Sequence, residues 1–182
     1  MTGKLYVISG PSGVGKGTLR ENALKNKKNL VYSISCTTRN PREGEIDGIH
    51  YRFISHEKFE EGIKQNLFLE YAHVHSDYYG TLKQDVINEL NLGHDVLLEI
   101  DVQGALQVRE KIPEAILIFI APPSVEILEK RLRNRHTETE AALKIRLNNA
   151  VKELELKDKY DYIIVNDDLE TASKELNNLI ND

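Results

Sequence analysis

The sequence predicts an α/β fold: a parallel sheet flanked by helices, carrying a small mixed α/β insert and a lid. Four short, uniformly apolar runs, Leu5–Ser9, Val96–Ile100, Ala115–Ala121 and Tyr160–Val165, have the character of buried parallel strands. Helical patterns separate or follow them, and strands that alternate with helices assemble as a parallel sheet with right-handed connections. Between residues 35 and 81 that rhythm breaks into short β-like pieces punctuated by Gly, Pro, Asp and His.

In chain order, helical patterns cover Thr18–Asn26, Glu57–Gln65, Leu82–Leu92, Val102–Ile112, Val125–Arg135, Glu138–Lys157 and Leu169–Ile180. The longest carries an apolar stripe of Leu143, Leu147, Val151 and Leu154. Thr137 with Glu140 marks its start in the manner of a capping box. The β-like pieces of the interrupted region are His50–Ile54 and Phe68–His75. The expected organisation is a core of residues 1–34, 82–125 and 150–182, an insert at 35–81 and a lid at 126–149.

A chain of 182 residues, 40% hydrophobic and 29% charged, suits one domain with a real core and a solvated surface, which excludes a disordered tail. The formal net charge of −5 is not that of a nucleic-acid-binding domain, so anionic ligands must be caught by local Arg and Lys clusters. Cys36 is the only cysteine, which rules out an intramolecular disulfide and leaves it as a small strand residue. The N-terminus runs straight into the first apolar run with no long apolar segment. The expectation is a cytoplasmic protein without a membrane span or an obligate protein partner.

The strongest local signal is Gly10-Pro11-Ser12-Gly13-Val14-Gly15-Lys16-Gly17-Thr18, placed after a strand and at the head of a helix. That is the context a P-loop requires. Its glycines let consecutive N–H groups turn inward on a polyphosphate, and the helix N-terminus adds its positive dipole end. Lys16 would reach the β- and γ-phosphates as a mobile point charge. Gly17 stands where Ser or Thr commonly follows the Lys to hold magnesium, with Thr18 one position later. That leaves direct or water-mediated contact with the metal open.

A second cluster, Ser35-Cys36-Thr37-Thr38-Arg39-Asn40-Pro41-Arg42, gathers arginine forks and hydroxyls suited to another phosphate. In Glu99-Ile100-Asp101, alternation along a strand would bring both acids to one side of the crevice where α/β ligands bind. One or both would contact the acceptor or hold magnesium. His73 and His75 share a strand face, but no third ligand nearby completes a zinc site.

With these motifs, the chain resembles the guanylate kinases. The likeness runs in order through Ser35 to Arg39, Pro41-Arg42-Glu43-Gly44-Glu45, Tyr51, Phe68-Leu69-Glu70-Tyr71, Tyr78-Tyr79-Gly80-Thr81, Glu99-Ile100-Asp101-Val102-Gln103-Gly104, Ala121-Pro122-Pro123-Ser124, Thr137-Glu138-Thr139-Glu140 and Val165-Asn166-Asp167-Asp168. It covers residue 4 to about 180. The resemblance implies transfer of the γ-phosphoryl group of ATP to GMP or dGMP, with magnesium, in guanine nucleotide metabolism. It makes Ser35, Arg39, Arg42, Tyr51 and Tyr79 the holders of the GMP phosphate, with Glu99 and Asp101 on the GMP side and Asp101 beside Thr18 as metal contacts. Glu70 would read guanine by accepting from its ring N–H and exocyclic amine, a donor pair adenine lacks. Thr81 would donate to the guanine carbonyl. Arg135 and Arg146 would close over the transferred group as lid arginines, and Asn166 would line the adenine pocket. No side-chain nucleophile is expected, since phosphoryl transfer relies on positioning and charge neutralisation. Two other readings remain beside it: a non-catalytic guanylate-kinase-like interaction module, against the intact Lys16, and a kinase of a phosphorylated sugar, against Glu70 and Thr81.

Overall fold

The computed structural model describes residues 2–74, 76–134 and 139–181. In order they form β1 (Leu5–Ser9), α1 (Lys16–Asn26), β2 (Leu30–Tyr32), β3 (Cys36–Thr37), β4 (Arg52–Phe53), α2 (His56–Lys64), β5 (Phe68–Val74), β6 (Asp77–Leu82), α3 (Lys83–Asn91), β7 (Asp95–Glu99), α4 (Val102–Lys111), β8 (Ile116–Ala121), α5 (Val125–Arg133), α6 (Glu140–Leu154), β9 (Tyr162–Val165) and α7 (Leu169–Asn181). They group into two compact units. The first is built from Asn29–Leu98 and Gln103–Ala115 with the N-terminal residues up to Leu5; the second holds Tyr6–Lys28, Glu99–Val102 and the residues from Ile116 onward.

In the first unit, β2 pairs in parallel with β7, Leu30 against Asp95 and Tyr32 against Leu97. Asp95 also accepts the Lys4 N–H at 2.7 Å, tying down the start of the chain. A separate four-stranded sheet runs β4-β3-β6-β5, antiparallel except for the β3–β4 pair. Strands β2, β3 and β6 lie outside the patterns read from sequence. Two- and three-residue strands carry too little periodicity to register, and β6, Asp77-Tyr78-Tyr79-Gly80-Thr81-Leu82, has no apolar alternation. Helix α2 starts at Ser55, whose hydroxyl accepts the Lys58 N–H at 3.2 Å. It buries Phe59, which stacks on Phe68 at 4.2 Å and on Tyr78 at 5.1 Å, and these rings with Cys36 form the unit's aromatic core. Burial, opposed by Arg52, pushes the Cys36 thiol up to about 11, so it stays protonated at neutral pH. Cys36 should therefore resist iodoacetamide in the folded protein and react once urea unfolds it; rapid native alkylation would contradict this packing.

In the second unit, β1, β8 and β9 form a parallel ladder, Tyr6 against Ile116 and Ile118 against Tyr162. Every residue of β1 is buried, as its uniform apolarity predicts. The last strand starts at Tyr162, two residues later than its apolar run, because Lys157–Lys159 closes a 3₁₀ turn first. Helices α5 and α6 pack through Leu128, Leu132, Leu143 and Ala150, with Leu147 against them. Val151, expected in that stripe, is 43% exposed, because at about 100° per residue the contact face continues from Leu147 to Ala150. The described helix begins at Glu140 with Thr139 as its cap, accepting the Ala142 N–H at 3.3 Å. Thr137, Arg135 and His75 lie outside the described residues. Among the described residues, no helix is long and apolar enough to cross a membrane.

Candidate active site

The phosphate loop lies wholly in the second unit. β1 ends at Ser9, whose hydroxyl donates to the Ile100 carbonyl at 2.8 Å, and the chain then turns through Gly10 to Gly15 into α1. Gly10 has φ 139° and a Cβ there would meet the Ile120 carbonyl oxygen at 2.2 Å, so only glycine fits. Gly15 caps α1 at φ 97°, where a Cβ would strike the Asn166 carboxamide at 2.5 Å. Pro11 and Val14 are buried, Gly13 and Gly17 are partly so, and Ser12 and Thr18 are exposed. Lys16 Nζ donates to the carbonyls of Gly10 at 2.5 Å and Pro11 at 3.1 Å, folding back over its own loop.

Three side chains brace this loop from elsewhere in the unit. Asn166, 5% exposed at the end of β9, donates its amide to the Val14 carbonyl at 2.7 Å. Arg131 on α5 donates to the Asn166 carbonyl at 2.8 Å. Arg146 on α6 donates to the Ser12 hydroxyl at 2.9 Å. Glu153 lies two turns further along α6. Burial raises its carboxyl above the usual range, with the Lys16 charge pulling it down and Asp101 pushing it up. Nothing in the sequence distinguishes Glu153, near a helix end, from a solvated glutamate. Glu99 at the end of β7 is held by Arg20 of α1 at 2.9 Å. Asp101 lies beyond the strand in the turn before α4, so strand alternation does not extend to it.

The arginine and carboxylate candidates of the insert lie in the first unit. Ser35 and Thr37 are buried, and Thr37 accepts the Arg39 N–H at 3.2 Å. Arg39 makes a bidentate pair with Glu45, at 3.0 and 2.9 Å, and lies 5.6 Å from the Tyr51 ring and 5.9 Å from that of Phe53. Tyr79 meets Tyr51 edge to face at 6.0 Å. Glu45 further accepts the Arg42 N–H at 2.7 Å, closing the 42–45 turn, while the Arg42 residue is exposed. The Arg39 hydrogen bonds hold the Glu45 carboxyl below the usual carboxylate range. The pair therefore stabilises the fold at neutral pH and is lost only as pH falls through that depressed value. Glu45 closes the run Pro41–Glu45, and nothing in that run marks Arg39, six residues back, as its partner.

Glu70 on β5 is 3% exposed and Thr81 on β6 is fully buried; the Thr81 hydroxyl donates to Glu70 Oε1 at 2.6 Å. The two sit opposite each other in the antiparallel register.

A strand–glycine loop–helix unit that ends in a Lys has the build of a P-loop phosphotransferase. The family model described as guanylate kinase matches residues 2–182. The guanylate kinase of Clostridium tetani is 53% identical over 178 residues, covering 98% of this chain and 85% of that one. The guanylate kinase of Carboxydothermus hydrogenoformans is 52% identical over 174 residues, 96% and 85%. The crystal structure of guanylate kinase from Anaplasma phagocytophilum superposes with a TM-score of 0.81 at 32% identity, covering 99% and 85%. A shikimate kinase from Bacteroides thetaiotaomicron, at 16% identity and TM-score 0.54 with 98% of each chain covered, shares the fold alone. The chain belongs to the guanylate kinase family.

Proposed function

We infer that this chain transfers the γ-phosphoryl group of ATP to GMP, giving ADP and GDP, accepts dGMP as well, and works in the cytoplasm. The observation that carries the acceptor assignment is the buried Glu70–Thr81 pair. An ionised carboxylate can accept from the two adjacent donors of guanine, a pair that adenine lacks.

On the donor side, residues 10–18 wrap the ATP phosphates, with Asn166 bracing the loop beside the adenine. Lys16 leaves its own carbonyls and moves onto the β- and γ-phosphates. Arg146 and Arg135 then neutralise charge on the group in flight. On the acceptor side, Ser35, Arg39, Arg42, Tyr51 and Tyr79 hold the GMP phosphate, and Glu99 and Asp101 border it. In-line transfer asks little more of the protein than this positioning. Residues 35–81 and 126–149 are the parts that move to exclude water before transfer.

Among the described residues no group of three or more His, Cys, Asp or Glu could hold a metal by itself. A phosphate-bound magnesium ion needs only one or two protein oxygens and keeps its waters. The Thr18 hydroxyl and the Asp101 carboxylate are hard oxygen donors that fit it, and they would hold it directly or through water. Bound there, the ion supplies charge neutralisation at the phosphates.

A coupled assay of ADP release with GMP, AMP, UMP and CMP tests the reading: GMP should dominate, and equal rates with AMP would overturn it. A second expectation concerns Glu45. Glu45→Gln breaks the fork that aims Arg39, so KM for GMP should rise about tenfold, the worth of one charged hydrogen bond, while KM for ATP holds. An unchanged GMP KM would show that Arg39 needs no aiming.

A further inference from the structure

Strand β5 is an outer strand of its sheet, so one side of it lacks a strand partner. That side is occupied around Glu70. The Gln107 carboxamide of α4 accepts the Tyr71 N–H at 3.1 Å and donates to the Tyr71 carbonyl at 2.7 Å. A primary amide offers C=O and N–H side by side, so Gln107 stands in for a neighbouring peptide. One turn on, Lys111 Nζ donates to the Leu69 carbonyl at 2.5 Å and reaches the Phe68 carbonyl at 3.5 Å. The β5–β6 register slips between Phe68 and Glu70, an irregularity of the kind that re-aims a side chain. The two α4 side chains thus grip the backbone on both sides of Glu70, at the place where the ladder is irregular.

We propose that Gln107 and Lys111 are positioning residues that lock the β5 backbone flanking Glu70 and thereby set how sharply the enzyme selects its acceptor base. This rests on the reading of Glu70 as the guanine reader. Removing the grip lets the irregular segment relax, so the carboxylate meets the two guanine donors at poorer geometry. AMP, which offers no such donors, has little to lose.

The test measures kcat/KM for GMP and AMP, KM for ATP and thermal stability in Gln107→Ala, Lys111→Met, Glu70→Gln and the Gln107→Ala/Glu70→Gln double variant. Gln107→Ala should cut GMP efficiency on the order of tenfold, mainly through KM, as expected for neighbours in one hydrogen-bonded network. ATP KM should stay at the wild-type value and the GMP-to-AMP ratio should fall. In the Glu70→Gln background the same substitution should leave that ratio unmoved. If Gln107→Ala does not fold, Lys111→Met, which keeps the aliphatic stem, decides by the same criteria. Equal losses with GMP and AMP, or a full additional loss in the double variant, would overturn the positioning role. Retention of full GMP preference by Glu70→Gln would instead overturn the base-reading assignment beneath it.

Discussion

Lys16→Met lowers turnover about 10²–10³-fold or more, the scale seen when one preorganised charge or donor is removed from a transition state. The side chain keeps its length, so the loop is not reshaped by bulk. What disappears is the ammonium that donates to the Gly10 and Pro11 carbonyls and would move onto the transferring group. Two carbonyls of buried residues lose a charged donor, a bond worth about 1.5–3 kcal/mol each where water does not replace it, so the melting temperature falls as well. The glycine geometry that cradles the phosphates is untouched, since Gly10 and Gly15 are fixed by close backbone and Asn166 contacts and not by Lys16. ATP binding should therefore fall much less than kcat. Single-turnover rates with saturating ATP and GMP, beside equilibrium ATP affinity, separate the two effects. Turnover within a few-fold of wild type would remove Lys16 from the mechanism.

Glu70→Gln costs most of the efficiency with GMP, roughly 10²-fold, and narrows discrimination against AMP. The Thr81 hydroxyl donates to one Glu70 oxygen at 2.6 Å, and a glutamine carbonyl can keep accepting that bond. Its amide nitrogen then takes the other position and points donors at guanine's own N–H groups. Hydrogen bonds to a charged partner are worth about 1.5–3 kcal/mol, and each 1.36 kcal/mol is tenfold, so losing one and opposing another yields a factor of hundreds. Because Glu70 lies in the first unit, outside the phosphate loop, KM for ATP should hold. kcat/KM for GMP and AMP in both proteins gives the answer. An undiminished preference for GMP would place the base reader elsewhere.

Much of this molecule was legible in its sequence. β1 was bounded to the residue, and the phosphate loop was placed between strand and helix, because both depend on neighbours in the chain: apolar runs bury, glycines take positive φ. The helical patterns match the helices within two residues at most ends, and α6 ends at Leu154, three residues short of the expected Lys157. Thr137 lies outside the described residues, and the backbone at Thr139, extended at φ −75° and ψ 157°, caps the helix that starts at Glu140.

The site was legible in its residue types and not in its pairings. The sequence determined that the chain carries a phosphate loop ending in Lys16, an arginine cluster after Ser35 and a carboxylate at 70 beside a hydroxyl at 81. Tertiary structure decided that Glu70 is buried against Thr81 and Arg39 is aimed by Glu45. It also decided that Asn166 and Arg146 reach the loop from 152 and 134 residues away, and that Gln107 reaches Tyr71 across 36. The reason is physical. Backbone conformation follows from local sterics and the next few side chains, whereas a polar partner is chosen by register, burial and the cost of leaving a desolvated group unmatched.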